Sequence, residues 1–360
     1  MKKVSILLVV ISVIAGAFFN STVVSASQKP LTVAVFGDWP YSTALLANAP
    51  LLVNSVNSDP NVSLVIHVGD IHSGSMPCTG SGLDPIPATS NPGWNQGIYN
   101  IFQQFNDPFV YTPGDNEWTD CHKTKEGSSG YPLNELASVR NLFFANPGFT
   151  LGANPIEVET QAKQYKRDFP TDAQFVENVI WMDAKVVFAT LNVPGSNNDT
   201  LPWSGGTGAF LNEPARQQEV AERSAANLRW LKRAFDEAND THAKGVVIII
   251  QANMWDPEAL LPGGDGLNAY DEFVQSLANL SVEFGGSVLL LNGDSHIYGV
   301  DKPLADPTSV TGVIHHTQAV PNLTRITVQG STNQPSEWLR LTIDPKSDDI
   351  FSWDNVVYLP

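Results

Sequence analysis

The chain has 360 residues, 42% of them hydrophobic, enough for a sizeable core in one large α/β domain or two small ones. Lys and Arg number 20 against 37 Asp and Glu, a formal net charge of −17. That balance excludes the basic stripe of a nucleic-acid surface, and it suits an exported protein that attracts cations.

Residues 1–26 read as a signal peptide. Lys2 and Lys3 supply the charged start, residues 6–19 the apolar centre, and Val24-Ser25-Ala26 the small residues before a cleavage point. A membrane anchor is the alternative, since the apolar stretch approaches spanning length. The small-residue exit and the lack of a following basic cluster favour cleavage. No other segment is apolar enough to span a bilayer, so residues 27–360 are expected to form a single periplasmic or secreted domain.

Apolar, β-branched-rich runs at Leu31–Phe36 and 64–68 predict strands buried on both faces. They end in Gly37-Asp38 and Gly69-Asp70. Residues 71–97 then read as a long irregular loop, a candidate substrate wall. Thr-Pro-Gly114-Asp115-Asn116-Glu117 repeats the Gly-Asp pattern with an extra acid. Cys78 and Cys121 follow two of these blocks and are expected to form a disulfide tying the two loops together. A thiolate metal pair is the competing reading. Residues 192–208 form a second Asn-, Gly- and Ser-rich loop. The clearest helix spans 213–239, with Val220, Ser224, Leu228, Leu231 and Phe235 on its inward stripe. It feeds a strand at 246–250 that ends in Gln251. A helix near 270–280 precedes a strand at 288–291, followed by Gly293-Asp294-Ser295-His296. The alternation at 324–328 and 338–343 reads as closing antiparallel strands.

The four Gly-Asp pairs carry the functional signal. Glycine lets the backbone turn sharply at a strand end, and the Asp then projects from the carboxyl edge of the sheet, where ligands of open α/β sheets bind. Four such carboxylates on one rim repel one another unless a cation sits among them.

Taken in order, Gly37-Asp38, Gly69-Asp70, Gly114-Asp115-Asn116-Glu117, Gln251 after a buried strand, and Gly293-Asp294-Ser295-His296 resemble the blocks of the calcineurin-like metallophosphoesterases. The stretch Asn227-Leu-Arg-Trp230-Leu-Lys is similar to the helix before the family's fourth block, and Gly37-Asp38-Trp39 to the opening of the purple acid phosphatase branch. The resemblance runs from Leu31 to about Tyr298. It implies a four-layer α/β sandwich, with two packed mixed β-sheets flanked by helices and a two-metal site at one edge. By resemblance Asp38 and His296 bind the first metal, Asp70 bridges both, and Asp115 and Asp294 stand where the second metal takes Asn and His. Gln251 stands at the family's lone His, and Asn116 where a His helps protonate the leaving group.

Exchanging imidazole and amide for carboxylate makes the site harder and more anionic, favouring Mg²⁺, Mn²⁺ or Ca²⁺ over Zn²⁺; iron also belongs among the candidates. The implied activity is hydrolysis of a small phosphomonoester or phosphodiester by a metal-activated water at a pair of divalent ions. Other residues carry two readings each. His72, two positions after Asp70, is either a replacement ligand or proton donor, or a loop His bonded to a neighbour. Glu117 either orients a ligand or makes a surface salt bridge. His67 reads as a satisfied core histidine, and His315-His316 as weak evidence for metal. Trp94, Trp118, Trp203 and Trp255 either stack on a ring-bearing substrate or pack internally. A non-catalytic exported binding protein on the same fold is the main alternative function. A glycoside hydrolase ranks below both, because its paired acids need no ordered set of Gly-Asp strand ends.

Overall fold

The computed structural model describes residues 29–78, 93–124, 130–204, 212–332 and 336–358; the expected signal peptide, residues 1–26, lies outside them. In chain order the strands are β1 (Leu31–Phe36), β2 (Val62–His67), β3 (Phe109–Tyr111), β4 (Glu159–Thr160), β5 (Val179–Asp183) and β6 (Val186–Thr190). They continue as β7 (Gly245–Ile249), β8 (Ser287–Asn292), β9 (Gly299–Asp301), β10 (Leu323–Thr327), β11 (Glu337–Ile343) and β12 (Phe351–Val357). The helical segments are α1 (Thr43–Ala47), α2 (Ala49–Asn57), α3 (Trp94–Phe102), α4 (Pro132–Phe143), α5 (Gln161–Gln164), α6 (Gly195–Asn198), α7 (Glu213–Asp240) and α8 (Asp271–Phe284).

Two mixed sheets result, ordered β12-β11-β1-β2-β3 and β4-β5-β6-β7-β8-β10-β9. The even apolar runs are explained by burial on both faces. Val33 and Val35 of β1 meet Val247, Ile249, Leu289 and Leu291 between the sheets, while Ala34 and Phe36 face Leu52, Val56, Ile98 and Phe102 of α2 and α3. On the far side, Val246, Ile248 and Leu290 pack against Leu231, Phe235, Val274 and Leu277 of α7 and α8. Three stacked apolar layers therefore make a helix–sheet–sheet–helix sandwich.

Three expectations need correcting. The segment 71–97 is not wholly irregular, because α3 starts at Trp94, within an apolar face that packs on the first sheet. The strands at 324–328 and 338–343 are not partners. β10 lies parallel to β8 and antiparallel to β9 in one sheet, and β11 antiparallel to β1 and β12 in the other, each inside its sheet rather than at an edge.

The third correction concerns α7, whose N-terminal half does not bury the Val220–Ser224–Leu228 stripe. Arg216, Glu219, Arg223 and Asn227 are buried instead, because this half packs on a polar loop. There α6 is a left-handed turn, with φ of 51°, 49°, 57° and 60° at Ser196, Asn197, Asn198 and Asp199. Asn and Asp tolerate that conformation best among residues with a side chain. Carbonyls of this turn and of the loop before it face α7. Arg216 Nη1 donates to Asp199 O at 2.8 Å, Arg223 Nη2 to Asn198 O at 3.1 Å, and Asn227 Nδ2 to Asn192 O at 2.8 Å. Arg223 is itself paired with Glu219 at 2.9 Å.

Candidate metal centre

Parallel strands bring their carboxyl ends to one rim. Asp38 follows β1, Asp70 follows β2, Asp115 follows β3, Gly195 follows β6, Gln251 follows β7 and Asp294 follows β8. Asp38, Asp70 and Asp294 sit at φ of 48°, 61° and 76°, sharp turns just past the strand ends. The glycines clear space across blocks: a Cβ on Gly114 would collide with Asp70 Oδ1, and one on Gly293 with Asp38 Oδ2. Each Gly-Asp pair thus depends on another for room, so the blocks interlock rather than merely recur.

Two clusters of potential ligand atoms form on the rim, each with its atoms within 4.8 Å of one another: Asp38, Asp70 and His296, and Asp70, Asp115 and Asp294. Asp70 belongs to both. At the first cluster the Tyr41 hydroxyl lies 3.1 Å from Asp38 Oδ1, 3.0 Å from Asp70 Oδ2 and 3.2 Å from His296 Nε2. His296 Nε2 is 3.3 Å from Asp38 Oδ1. At the second cluster Gln251 Nε2 donates to Asp115 Oδ1 and Asp294 Oδ1, both at 3.1 Å, and lies 3.3 Å from Asp70 Oδ2. Asn253 adds a backbone N–H to Asp294 Oδ2 at 2.8 Å.

Asn116 grips Asp70 twice, by its backbone N–H to Oδ1 at 3.1 Å and by Nδ2 to Oδ2 at 2.9 Å. Glu117 is buried, accepting the Ile71 N–H at 3.1 Å and the Tyr111 O–H at 2.8 Å, so it makes no surface salt bridge. His72 is buried beside Asp70 in sequence but belongs to neither cluster; its Nδ1–H donates to Ser73 O at 3.1 Å. His67 is a satisfied core histidine, taking the Gly69 N–H on Nδ1 and facing Trp39 O with Nε2, each at 3.1 Å. His315 lies between Asp271 and Met254 O, 2.7 Å from each, outside both clusters. The four tryptophans are buried, in keeping with the internal-packing reading rather than ring stacking. Their faces meet internal groups, such as Arg223 over Trp118 and Arg325 over Trp255.

Some contributors escape a sequence reading. Tyr41 lies only three residues past Asp38, and that spacing is the one local signal that could have found it. Ser196 Oγ bridges Asp115 Oδ2 at 3.0 Å and Asp120 Oδ1 at 2.8 Å, and Lys123 Nζ binds Asp120 Oδ2 at 2.8 Å; nothing local announced these. The Cys78–Cys121 disulfide forms as expected, with Cα atoms 5.6 Å apart, joining the loop after Asp70 to the one after Asp115.

Electrostatics follow from packing carboxylates out of water. Burial, then the charge of Asp115, pushes Asp70 and Asp294 well above the usual carboxylate range. Burial likewise raises Glu117, and burial with the Asp38 and Asp70 charges raises the Tyr41 phenol. For His296 burial pulls downward, but the hydrogen bond and charge of Asp38 outweigh it and the ring is raised. An open cleft of about 320 Å³, lined by Asp115, Ser196, Asn253, Tyr270 and Asp294 among others, leads to the second cluster. Two wider clefts, about 800 and 470 Å³, hold none of these site residues.

The order of blocks along the chain and their convergence on one rim meet in a family comparison: residues 31–298 match the model of the calcineurin-like phosphoesterases. The chain belongs to this family. Comparison with curated proteins returns no match. Among solved structures the chain is similar to GAP50, the anchor in the inner membrane complex of Plasmodium, with 11% identity, a TM-score of 0.47, and coverage of 91% of this chain and 85% of that one. No described helix is long and apolar enough to cross a membrane.

Proposed function

We propose that this calcineurin-like phosphoesterase is an exported, metal-dependent hydrolase of a small phosphomonoester or phosphodiester. The observation that carries the reading is the sharing of Asp70 between two ligand clusters at the carboxyl rim of both sheets. The first cluster fits a hard or borderline divalent ion such as Mn²⁺, Mg²⁺, Ca²⁺ or iron. It offers two carboxylates and an imidazole, with the Tyr41 oxygen beside all three. Such an ion, when bound, polarises a phosphoryl oxygen and acidifies a bound water.

The chain's own residues supply the rest of the proposed chemistry. Asn116 fixes Asp70 through both carboxylate oxygens and enters as a positioning residue rather than an acid. Glu117 holds the Ile71 amide directly behind Asp70. His72, its ring held through Nδ1, is the proposed proton donor to the leaving group. Asp115, Asp294 and Gln251 line the far half of the rim, toward the cleft that would receive the ester. Export rests on the leader-like residues 1–26 and on the disulfide, which favours an oxidising compartment.

The experiment is hydrolysis of a chromogenic phosphate monoester and diester by chelator-free protein supplied in turn with Mn²⁺, Mg²⁺, Ca²⁺ and Fe²⁺. Turnover with one of these ions, abolished by chelator, supports the reading; no turnover with any of them defeats it. A second reading, a non-catalytic binding protein, is favoured by one observation: Tyr41 and Gln251 already give the clustered acids hydrogen-bond partners. It predicts no turnover under all four conditions.

A further inference from the structure

The two clusters differ in what sits among their ligands, and we infer that Gln251 takes the place of the second cation, so that the site holds one ion, at Asp38, Asp70 and His296. This rests on the metal-dependent reading above and sharpens it. Gln251 is fully buried, and its Nε2 makes contacts of 3.1 to 3.3 Å with all three acids of the second cluster. An amide nitrogen carries two protons and no lone pair to give. It therefore satisfies carboxylates as a cation does and cannot act as a ligand itself.

The orientation of that amide is fixed by its other end. The Gly195 N–H donates to Gln251 Oε1 at 2.5 Å, and a backbone N–H demands an acceptor there. Flipping the amide to offer Oε1 to an ion would set Nε2–H against Gly195 N–H and leave a buried donor unsatisfied, which is unfavourable. Gly195 is in turn held, since it opens the left-handed turn whose carbonyls are bound by Arg216 and Arg223. Nor can the side chain swing away. A Cβ on Gly69 or Gly114 would come within 2.7 or 2.8 Å of Gln251 Cγ, so the backbone of two Gly-Asp blocks closes around it.

The first cluster is different in kind. Its inserted group is a hydroxyl, whose oxygen keeps lone pairs, so Tyr41 can remain beside an ion as a further oxygen donor. Gln251 is thus the residue that sets the number of ions.

Wild type, Gln251→His and Gln251→Ala are equilibrated with Mn²⁺ and gel-filtered. Bound metal is then counted per chain by mass spectrometry, with electron paramagnetic resonance to detect coupled pairs. The expected result is one Mn²⁺ per wild-type chain with an uncoupled signal, rising to two per chain in Gln251→His with a spin-coupled signal. Gln251→Ala, which opens the same space without adding a ligand, is expected to take a second, weaker ion, and it covers the case in which the histidine variant does not fold. Two ions in wild type overturn the inference and leave the metal-dependent reading standing. No ion in wild type overturns both, and a single ion in every folded variant overturns the role given to Gln251.

Discussion

The two ends of the rim are built from the same material and stabilised by opposite means. Around Asp38, Asp70 and His296, the inserted group is a tyrosine oxygen. Around Asp70, Asp115 and Asp294, it is an amide nitrogen locked by Gly195. The acids crowd together at both ends, and in the proposed single-ion site it is the lone pairs of the intruding atom that decide between them. The difference also extends into the scaffold. The tyrosine end hangs on the turns after β1 and β2, whereas the amide end is braced by a left-handed turn and the buried arginines of α7.

The largest effect is expected where the two ends meet. Asp70→Asn removes the shared ligand, and loss of several kcal/mol of charge stabilisation predicts a fall in turnover of about a thousandfold, read by phosphate-ester hydrolysis. Next, Arg223→Ala strips the brace from the amide end and leaves Glu219 as a buried, uncompensated charge. It is expected to cost about 3 kcal/mol in denaturant unfolding, while the tyrosine end keeps its ion. Asn116→Ala acts on the tyrosine side by removing the side-chain hydrogen bond to Asp70 Oδ2, while the backbone N–H to Oδ1 stays. Metal affinity should fall roughly 10- to 100-fold with little change in unfolding free energy, as measured by calorimetric titration.

The smallest effect per step is a pH dependence that both ends share through the strand beneath them. Burial pulls His67 down to about 3, below the ordinary value of about 6.5. Its neutral ring stabilises the fold above pH 6.5. As pH falls from there toward 3, the unfolded chain binds a proton that the folded chain refuses. Stability should drop by about 1.4 kcal/mol per pH unit from this group, and His67→Gln should flatten that part of the curve. A His67→Gln curve parallel to wild type would show that other groups carry the acid sensitivity.

The strands and their Gly-Asp ends were legible because everything that specifies them is local: an apolar run, a glycine that frees the turn, and an acid after it. Asp38, Asp70, Asp115, Asp294 and His296 could therefore be placed on one rim from the sequence, and the family resemblance carried by the order of blocks implied the sandwich. What stayed hidden depends on partners distant in sequence. Position alone cannot show which end of the Gln251 amide faces the acids; that depends on Gly195, 56 residues away. The stripe on α7 was misread because Arg216, Glu219 and Arg223 look like a solvated face until the left-handed turn they bind is known. The choice between stacking and packing tryptophans depends on distant partners in the same way, since arginines from other elements cover faces such as those of Trp118 and Trp255.

The central claim is that Asp70 anchors a cation on this rim. The direct measurement is bound Mn²⁺ per chain in wild-type protein and in Asp70→Asn, purified alike without chelator and counted after gel filtration. A stoichiometric ion in wild type that is lost in the variant is the predicted result. Equal metal in both proteins, or none in wild type, would contradict it.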